Sequence, residues 1–325
     1  MMAYIVRRVL YVIPILVGVN LLTFLLFFVV NSPDDMARMH LGVKRVSDQA
    51  IAEWKAERGY DKPLVWNAGA EGLDKLTDTI FFDKSVRLFA FDFGQSDSGR
   101  NIGHDIAQRM WPSLAIAIPI MLVGLAVNIS FSLLLAFFRG TYLDFWGVVL
   151  CVAMMSVSGL FYIIGGQVLL GKLLNLFPIS GYAPGPDAWR FLVLPVIIGV
   201  ISGIGSGTRW YRTLFLEEVG KDFVRTARAK GLSERAVLFG HVLRNALIPI
   251  LTGVVVVIPT LFMGSLLLES FFGIPGLGSY TIDAISRQDF AIVRAMVFLG
   301  AVLYVLGLLL TDISYTLVDP RVRLQ

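Results

Sequence analysis

The chain carries long stretches in which apolar residues dominate and charge is nearly absent, at residues 9–31, 110–138, 145–171, 191–208, 245–268 and 295–311. A helix rises about 1.5 Å per residue, so crossing a hydrocarbon core of about 30 Å takes roughly 20 such residues. The fourth and sixth stretches lie near the lower limit. Their apolar residues form continuous runs rather than recurring at periods of two or 3.6, the pattern of one-sided burial in a water-soluble domain. The expected fold is therefore an all-α integral membrane protein of about six spans. Composition agrees: 56% of the 325 residues are hydrophobic and 16% charged, against roughly 45–50% and about 25% in soluble domains. The formal charge of +4 comes with basic residues bordering the spans, which records orientation in a bilayer. No basic stripe with interleaved aromatics lies outside the spans, so nucleic acid is not an expected partner. The single cysteine, Cys151, lies within an apolar run and can make neither an internal disulfide nor a metal cluster.

Arg7 and Arg8 precede the first stretch in the manner of a signal peptide. The apolar part is too long, however, and Asn31-Ser32-Pro33-Asp34 is no small-residue cleavage site, so a retained anchor is expected. Arg7 and Arg8, Arg139, the run from Arg209 to Arg244, and Arg321 with Arg323 all fall on one side. By the positive-inside rule that side is the cytoplasm, which puts both termini inside and residues 32–108 outside, with the connections 173–190 and 269–294. The chain divides accordingly into an N-terminal helix at 1–31, an outer segment at 32–108 and a five-span core at 109–325. In the outer segment Ser47 and Gly59 can cap and stop a helix around Ile51 and Trp54. Trp111-Pro112 is expected to open the second span, because proline is tolerated in a first turn.

Several constellations carry no chemistry. Gly166 to Lys172 imitates a phosphate-binding loop, but Leu173 stands where a Ser or Thr should hold magnesium. His40, His104 and His241 lack the spacing of a metal or catalytic site, and no nucleophile, base and orienting group occur together, so no enzyme is expected. Gly199, Gly203 and Gly207, spaced by four, suit close helix packing in preference to the alternative, a substrate path. Glu269 ends the fifth run and is expected either at a solvated helix end or on a solute path. Asn20, Asn128 and Ser130 are polar residues within spans, with helix–helix hydrogen bonding and path lining as the alternative roles. Phe272-Gly273-Ile274-Pro275-Gly276-Leu277-Gly278 reads as a turn or partly re-entrant loop.

The inner loop 209–244 is the most informative region. Its segment Lys221-Asp222-Phe223-Val224-Arg225-Thr226-Ala227-Arg228-Ala229-Lys230 is rich in helix formers, with Asp222 placed to cap the start and Gly231 to end it. Ser233 can cap a second short helix through Val237, Leu238 and Leu243. From residue chemistry alone, this pair of helices serves equally as an interfacial element on membrane lipid or as a docking element.

The run Val224-Arg225-Thr226-Ala227-Arg228-Ala229-Lys230-Gly231-Leu232-Ser233, followed by His241-Val242-Leu243-Arg244-Asn245-Ala246-Leu247-Ile248-Pro249, resembles the cytoplasmic EAA-type loop of oligopeptide and dipeptide ABC importer permeases. Arg225-Thr226-Ala227 replaces the usual Glu-Ala-Ala, and Gly231 stands at the expected glycine. Further landmarks follow in order: Arg7-Arg8 with Ile13-Pro14, Asp61-Lys62-Pro63-Leu64, Asp92-Phe93-Gly94-Gln95-Ser96, Pro275-Gly276-Leu277-Gly278 and Asp319-Pro320-Arg321. The likeness covers essentially the whole chain and is greatest to the YejB branch. It implies the type I importer permease (MetI-like) fold and one half of a translocation pathway for peptides or peptide-like solutes. Related systems carry nickel chelates or glycosides. The implied partners are a homologous second permease, two cytoplasmic ATPases or one fused pair, and an external solute-binding protein, with ATP and magnesium on the ATPases and no cofactor on this chain. The rival readings are an ion-coupled secondary transporter, which would carry acids or broken helices near the midplane, and a membrane-embedded scaffold or sensor.

Overall fold

A computed structural model describes residues 2–42 and 46–318, and these are entirely helical apart from turns and one isolated bridge. The landmark Asp319-Pro320-Arg321 and the basic residues Arg321 and Arg323 lie outside the described residues. Among the described residues, five helices are long and apolar enough to cross a membrane, and a sixth span arises if one bent pair is counted as one. The chain separates into two compact units. Among the described residues, one is drawn from 2–109 and 280–309 and the other from 110–279 and 310–318.

In the first unit, α1 (Met2–Phe24) continues through a π-helical turn, Leu25–Val30. Ser32 then caps α2 (Pro33–Leu41) in a capping box with Asp35, with Pro33 in the first turn. Ser47 caps α3 (Asp48–Arg58), and Gly59 ends it in the left-handed conformation at φ +64°, as the sequence predicts. Short helices α4 (Asp74–Thr77) and α5 (Ile80–Lys84) follow. Phe24 and Phe28 from the first span, Met36 and Ala37 from α2, Ile51 and Trp54 from α3, Tyr60 and Ile80 form one buried cluster. The segment that follows the first span is therefore an ordered cap on its end, held by the hydrophobic effect.

In the chain order of the second unit come α6 (Ile102–Phe137), α7 (Tyr142–Ser156), α8 (Gly159–Gly166) with its π-helical continuation Gln167–Leu173, and α9 (Ala188–Val219). Three span expectations need correction. The second span does not open at Pro112: α6 begins at Ile102, where the Asn101 side chain accepts from the His104 N–H at 2.9 Å, and Pro112 lies inside the helix. An asparagine cap supplies the start signal, leaving proline only the loss of one backbone bond.

The third span is not one rod. It breaks at Val157-Ser158, where α7 and α8 diverge by 89°, and the Tyr162 hydroxyl donates to the Met154 carbonyl at 2.8 Å near the break. The continuation Gln167–Leu173 covers the segment that imitates a phosphate loop. There the Gln167 side chain donates to the carbonyls of Ile179 and Phe271, both at 3.0 Å. Third, the fifth span ends at Met263 rather than Leu268, because Gly264 at φ +68° interrupts it.

Of the three glycines expected to pack closely, Gly199 and Gly207 do so, whereas Gly203 faces open space. A Cβ on Gly199 or Gly207 would run into Ile120 or Asn128 of α6, and one on Gly205 would meet the Cys151 carbonyl of α7 at 2.6 Å. Beside this contact Arg212 of α9 grips Asp144 of α7 with two bonds at 3.0 and 2.9 Å, both side chains largely buried. A planar fork on a carboxylate is not reproduced by an ammonium. Arg212→Lys is therefore expected to lower the stability of the purified protein by about 1–3 kcal/mol, read as a fall in thermal midpoint.

Candidate coupling site and family

Between α9 and the next span lie α10 (Asp222–Ala229) and α11 (Glu234–Val237), the latter passing through a π-helical turn, Leu238–Val242, into α12 (Leu243–Thr260). The element is shorter than the expected inner loop 209–244, because α9 carries the chain helically to Val219. The helix expected at Asp222–Lys230 is present with Ala229 as its last residue. Asp222 does not cap it: Lys221 holds the cap position without a side-chain bond, and Asp222 is the first helical residue.

The stop is a Schellman motif. Gly231 sits at φ +81° and donates to the Arg228 carbonyl at 2.9 Å, while Leu232 donates to Ala227 at 3.3 Å. Two residues later Ser233 caps α11, accepting from the Ala236 N–H at 3.3 Å. Across the turn Arg228 clasps Glu234 at 2.8 and 3.0 Å. That pair is exposed to solvent, so it orients the two helices more than it stabilises them.

Only one side of α10 is buried. Val224 and Ala227 enter a cluster with Leu133 and Ala136 of α6, Phe215 of α9, and Val237, Leu238, Val242, Ala246 and Ile250 leading into α12. Arg225, Thr226, Arg228, Ala229 and Lys230, then Gly231, Leu232 and Ser233, remain exposed. The element thus has a root fused to the ends of three membrane helices and a free, largely basic outer face.

At the other predicted surface Glu269 lies in α13 (Leu266–Phe272) and is wholly buried, so the expected solvated helix end is wrong. Its carboxylate accepts from the N–H of Ser265 at 3.1 Å and of Ser279 at 3.0 Å. Gly278 and the Ser113 hydroxyl also bond to it. Burial pushes the Glu269 carboxyl above its usual range, against these four hydrogen bonds, which act in the opposite direction. The turn Gly273–Gly276 separates α13 from α14 (Leu277–Arg287). A Cβ on Gly264 or Gly276 would collide with the Glu269 carboxylate, and one on Gly278 would come within 2.6 Å of the Ser265 backbone. At Gly264 and Gly276 the carboxylate occupies the side-chain space, and at Gly278 the Ser265 backbone does.

The other polar candidates separate. Asn20 donates to the Ser85 carbonyl at 3.1 Å, and Asn128 accepts from Thr208 at 3.1 Å, both in buried hydrogen bonds. Ser130 is exposed on a shallow concavity with Phe131, Leu134 and Met154. Asn128 also borders a cavity of about 240 Å³ together with Gly124, Gly199, Gly203 and Gly253. Sequence reading missed Ser113, in the second apolar run, and Phe215, near the start of the expected inner loop, neither of which carries a local signal of its contacts.

Residues 128–324 match the family described as the binding-protein-dependent transport system inner membrane component, and residues 1–78 match its N-terminal membrane component. The chain belongs to this family. It is 33% identical, over 99% of both chains, to a Brucella abortus protein provisionally named a peptide transport system permease protein. It is also 32% identical, over 100% of both, to the di/tripeptide transport system permease protein DppB of Pseudomonas aeruginosa, and 30% identical, over 99% of both, to the dipeptide transport system permease protein DppB of Escherichia coli K12. Permeases of this family are multi-pass inner-membrane subunits, not enzymes, and work with binding-protein and ATPase partners.

Proposed function

We propose that this permease carries short peptides or peptide-like solutes inward as one half of an ABC importer. The other parts are a homologous permease, two ATPases or one fused pair binding ATP and magnesium, and an external solute-binding protein. The observation that carries the coupling part is the α10 root. Val224 and Ala227 share a core with helix ends of α6, α9 and α12, so displacement of the exposed face of α10 by an ATPase displaces the membrane helices with it. The basic face from Arg225 to Lys230 fits a groove on that ATPase. The peptide assignment is supported by the names of the relatives over nearly full length. Assignment to the YejB branch rests on the motif likeness alone.

A peptide's backbone polar groups cannot enter hydrocarbon unsatisfied. The glycine-rich cavity beside Asn128 is the proposed stretch of path on this subunit, to be completed by the second permease. Asn20, Ser130 and Glu269 are path candidates of lower rank, Asn20 and Glu269 because their polar groups are already engaged within the chain.

Two experiments test the reading. In proteoliposomes holding the complete transporter, labelled peptides should enter in an ATP-dependent manner when the binding protein is outside. Uptake of a nickel chelate or glycoside with no response to peptides over a broad length range would overturn the peptide assignment and leave the importer standing. Reporter fusions after Gly94 and Gly231 should report outside and inside respectively, with both termini cytoplasmic; a common compartment would overturn the orientation.

A further inference from the structure

The first unit encloses a cavity of about 410 Å³ between its outer-segment loops and the start of α15 (Phe290–Val318). Its lining is crowded with charge, and pairing sorts that charge. Asp97 holds Arg58 at 2.9 Å; Asp83 holds Lys62 at 2.6 Å and Arg87 at 3.4 Å. Asp92 lies 3.9 Å from Arg87, and Glu57 3.3 Å from Arg58. Asp289, just before α15, accepts from the backbone N–H groups of Asp97 and Ile292 at 2.9 and 3.2 Å. Every acid is thus engaged, and two cations have no carboxylate paired with them among the described residues. Arg294 is 3% exposed and bonds to Tyr60, while its Nε and Nη1 have no hydrogen-bond partner among the described residues. Its guanidinium lies 5.0 Å from the centre of the Phe28 ring. Lys84 lies 5.2 Å from the Tyr60 ring and makes no ion pair among the described residues. Burial, reinforced by Arg294, holds the Lys84 ammonium below its ordinary range.

A buried guanidinium with open donors is unfavourable until an acceptor reaches it. Its planar fork matches a carboxylate, and a cavity of this size is of the kind that takes small molecules. We propose that Arg294 and Lys84 form a receiving site for a carboxylate, that of the free C-terminus of a short peptide. This rests on the peptide-import reading and on the outer placement of residues 32–108.

The test uses the complete transporter in nanodiscs without its binding protein, with tritiated trialanine and trialanine amide as probes. One or two charge-assisted bonds correspond to about a tenfold preference for the acid over the amide. Arg294→Met and Lys84→Met should each weaken trialanine binding and abolish the preference. Lys84 is only half-buried, so its variant reports even if Arg294→Met fails to fold. Absence of saturable binding, equal binding of acid and amide, or unaltered binding in Lys84→Met would each overturn the proposal. Weakened docking of the binding protein with trialanine affinity unchanged would assign the cavity to an acidic side chain of that protein and also overturn it. Uptake in proteoliposomes made from the same preparation keeps the two readings apart: peptides imported without acid preference in binding sink only this site, whereas no peptide import sinks the peptide function itself.

Discussion

Valine at Gly231 is expected to abolish most ATP-dependent uptake while leaving the permease in the membrane at normal abundance. Gly231 sits at φ +81° with open space around its Cα, so the defect comes from backbone conformation and not from a collision. A β-branched residue in that region is strained by about 1–2 kcal/mol or more. The chain's cheapest escape is to give up the Schellman turn, releasing the carbonyls of Ala227 and Arg228 and the alignment of α10 with α11. Gly231→Asn, which tolerates the left-handed region, should retain most uptake. The measurements are uptake and solute-stimulated ATPase activity of the reconstituted transporter. Wild-type values for both in Gly231→Val would remove α10 from the coupling path.

Removal of the Glu269 carboxylate is expected to be more severe, because it strikes the fold. Glu269→Ala leaves the N–H groups of Ser265, Gly278 and Ser279 and the Ser113 hydroxyl without their common acceptor. Each buried orphan costs about 1–3 kcal/mol, so the sum approaches the whole stability of a typical domain. Gly276→Ala should give the same phenotype from the opposite direction, by driving a methyl group into the carboxylate. The expected result for both is loss of protease-resistant permease from the membrane. Normal abundance and thermal stability in Gly276→Ala would show that the carboxylate can move aside and is no fixed support.

The sequence made the membrane spans legible wherever a single physical signal acts alone. Apolar length announces α1, α6, α9, α12 and α15, and the Ser47, Gly59, Gly231 and Ser233 signals place helix ends correctly because capping is local. The errors arise where two signals compete. Pro112 looks like a helix start until Asn101 is recognised as a cap eleven residues earlier. Residues 145–171 are uncharged throughout and mostly apolar, and hydrophobicity does not encode the direction of the backbone at Val157-Ser158. Glu269 reads as a solvated acid because its acceptors' partners, Ser113 and Ser279, are distant in sequence or hidden in a glycine-rich turn. The adjacent glycines at 264, 276 and 278 were the visible trace of that arrangement, since each vacates space for a neighbour. The helix pair proposed for coupling stands out in sequence by its motif, whereas its seat on Leu133, Phe215 and Ile250 follows only from three dimensions.

The Glu269 knot also imposes an order on how the protein is made. Ser113 leaves the ribosome long before Ser279, and the carboxylate's donor set is complete only when both have been synthesised and their flanking helices inserted. Closing so long a loop is intrinsically slow, since loop entropy is lost before the contact forms. Helices α6, α7 and α9 therefore enter the bilayer with that end of the second unit unlatched, and the arrival of Leu277–Ser279 is the event that fastens it. A permease truncated before residue 279 should remain open to protease at Gly264, and one that extends through α15 should be resistant.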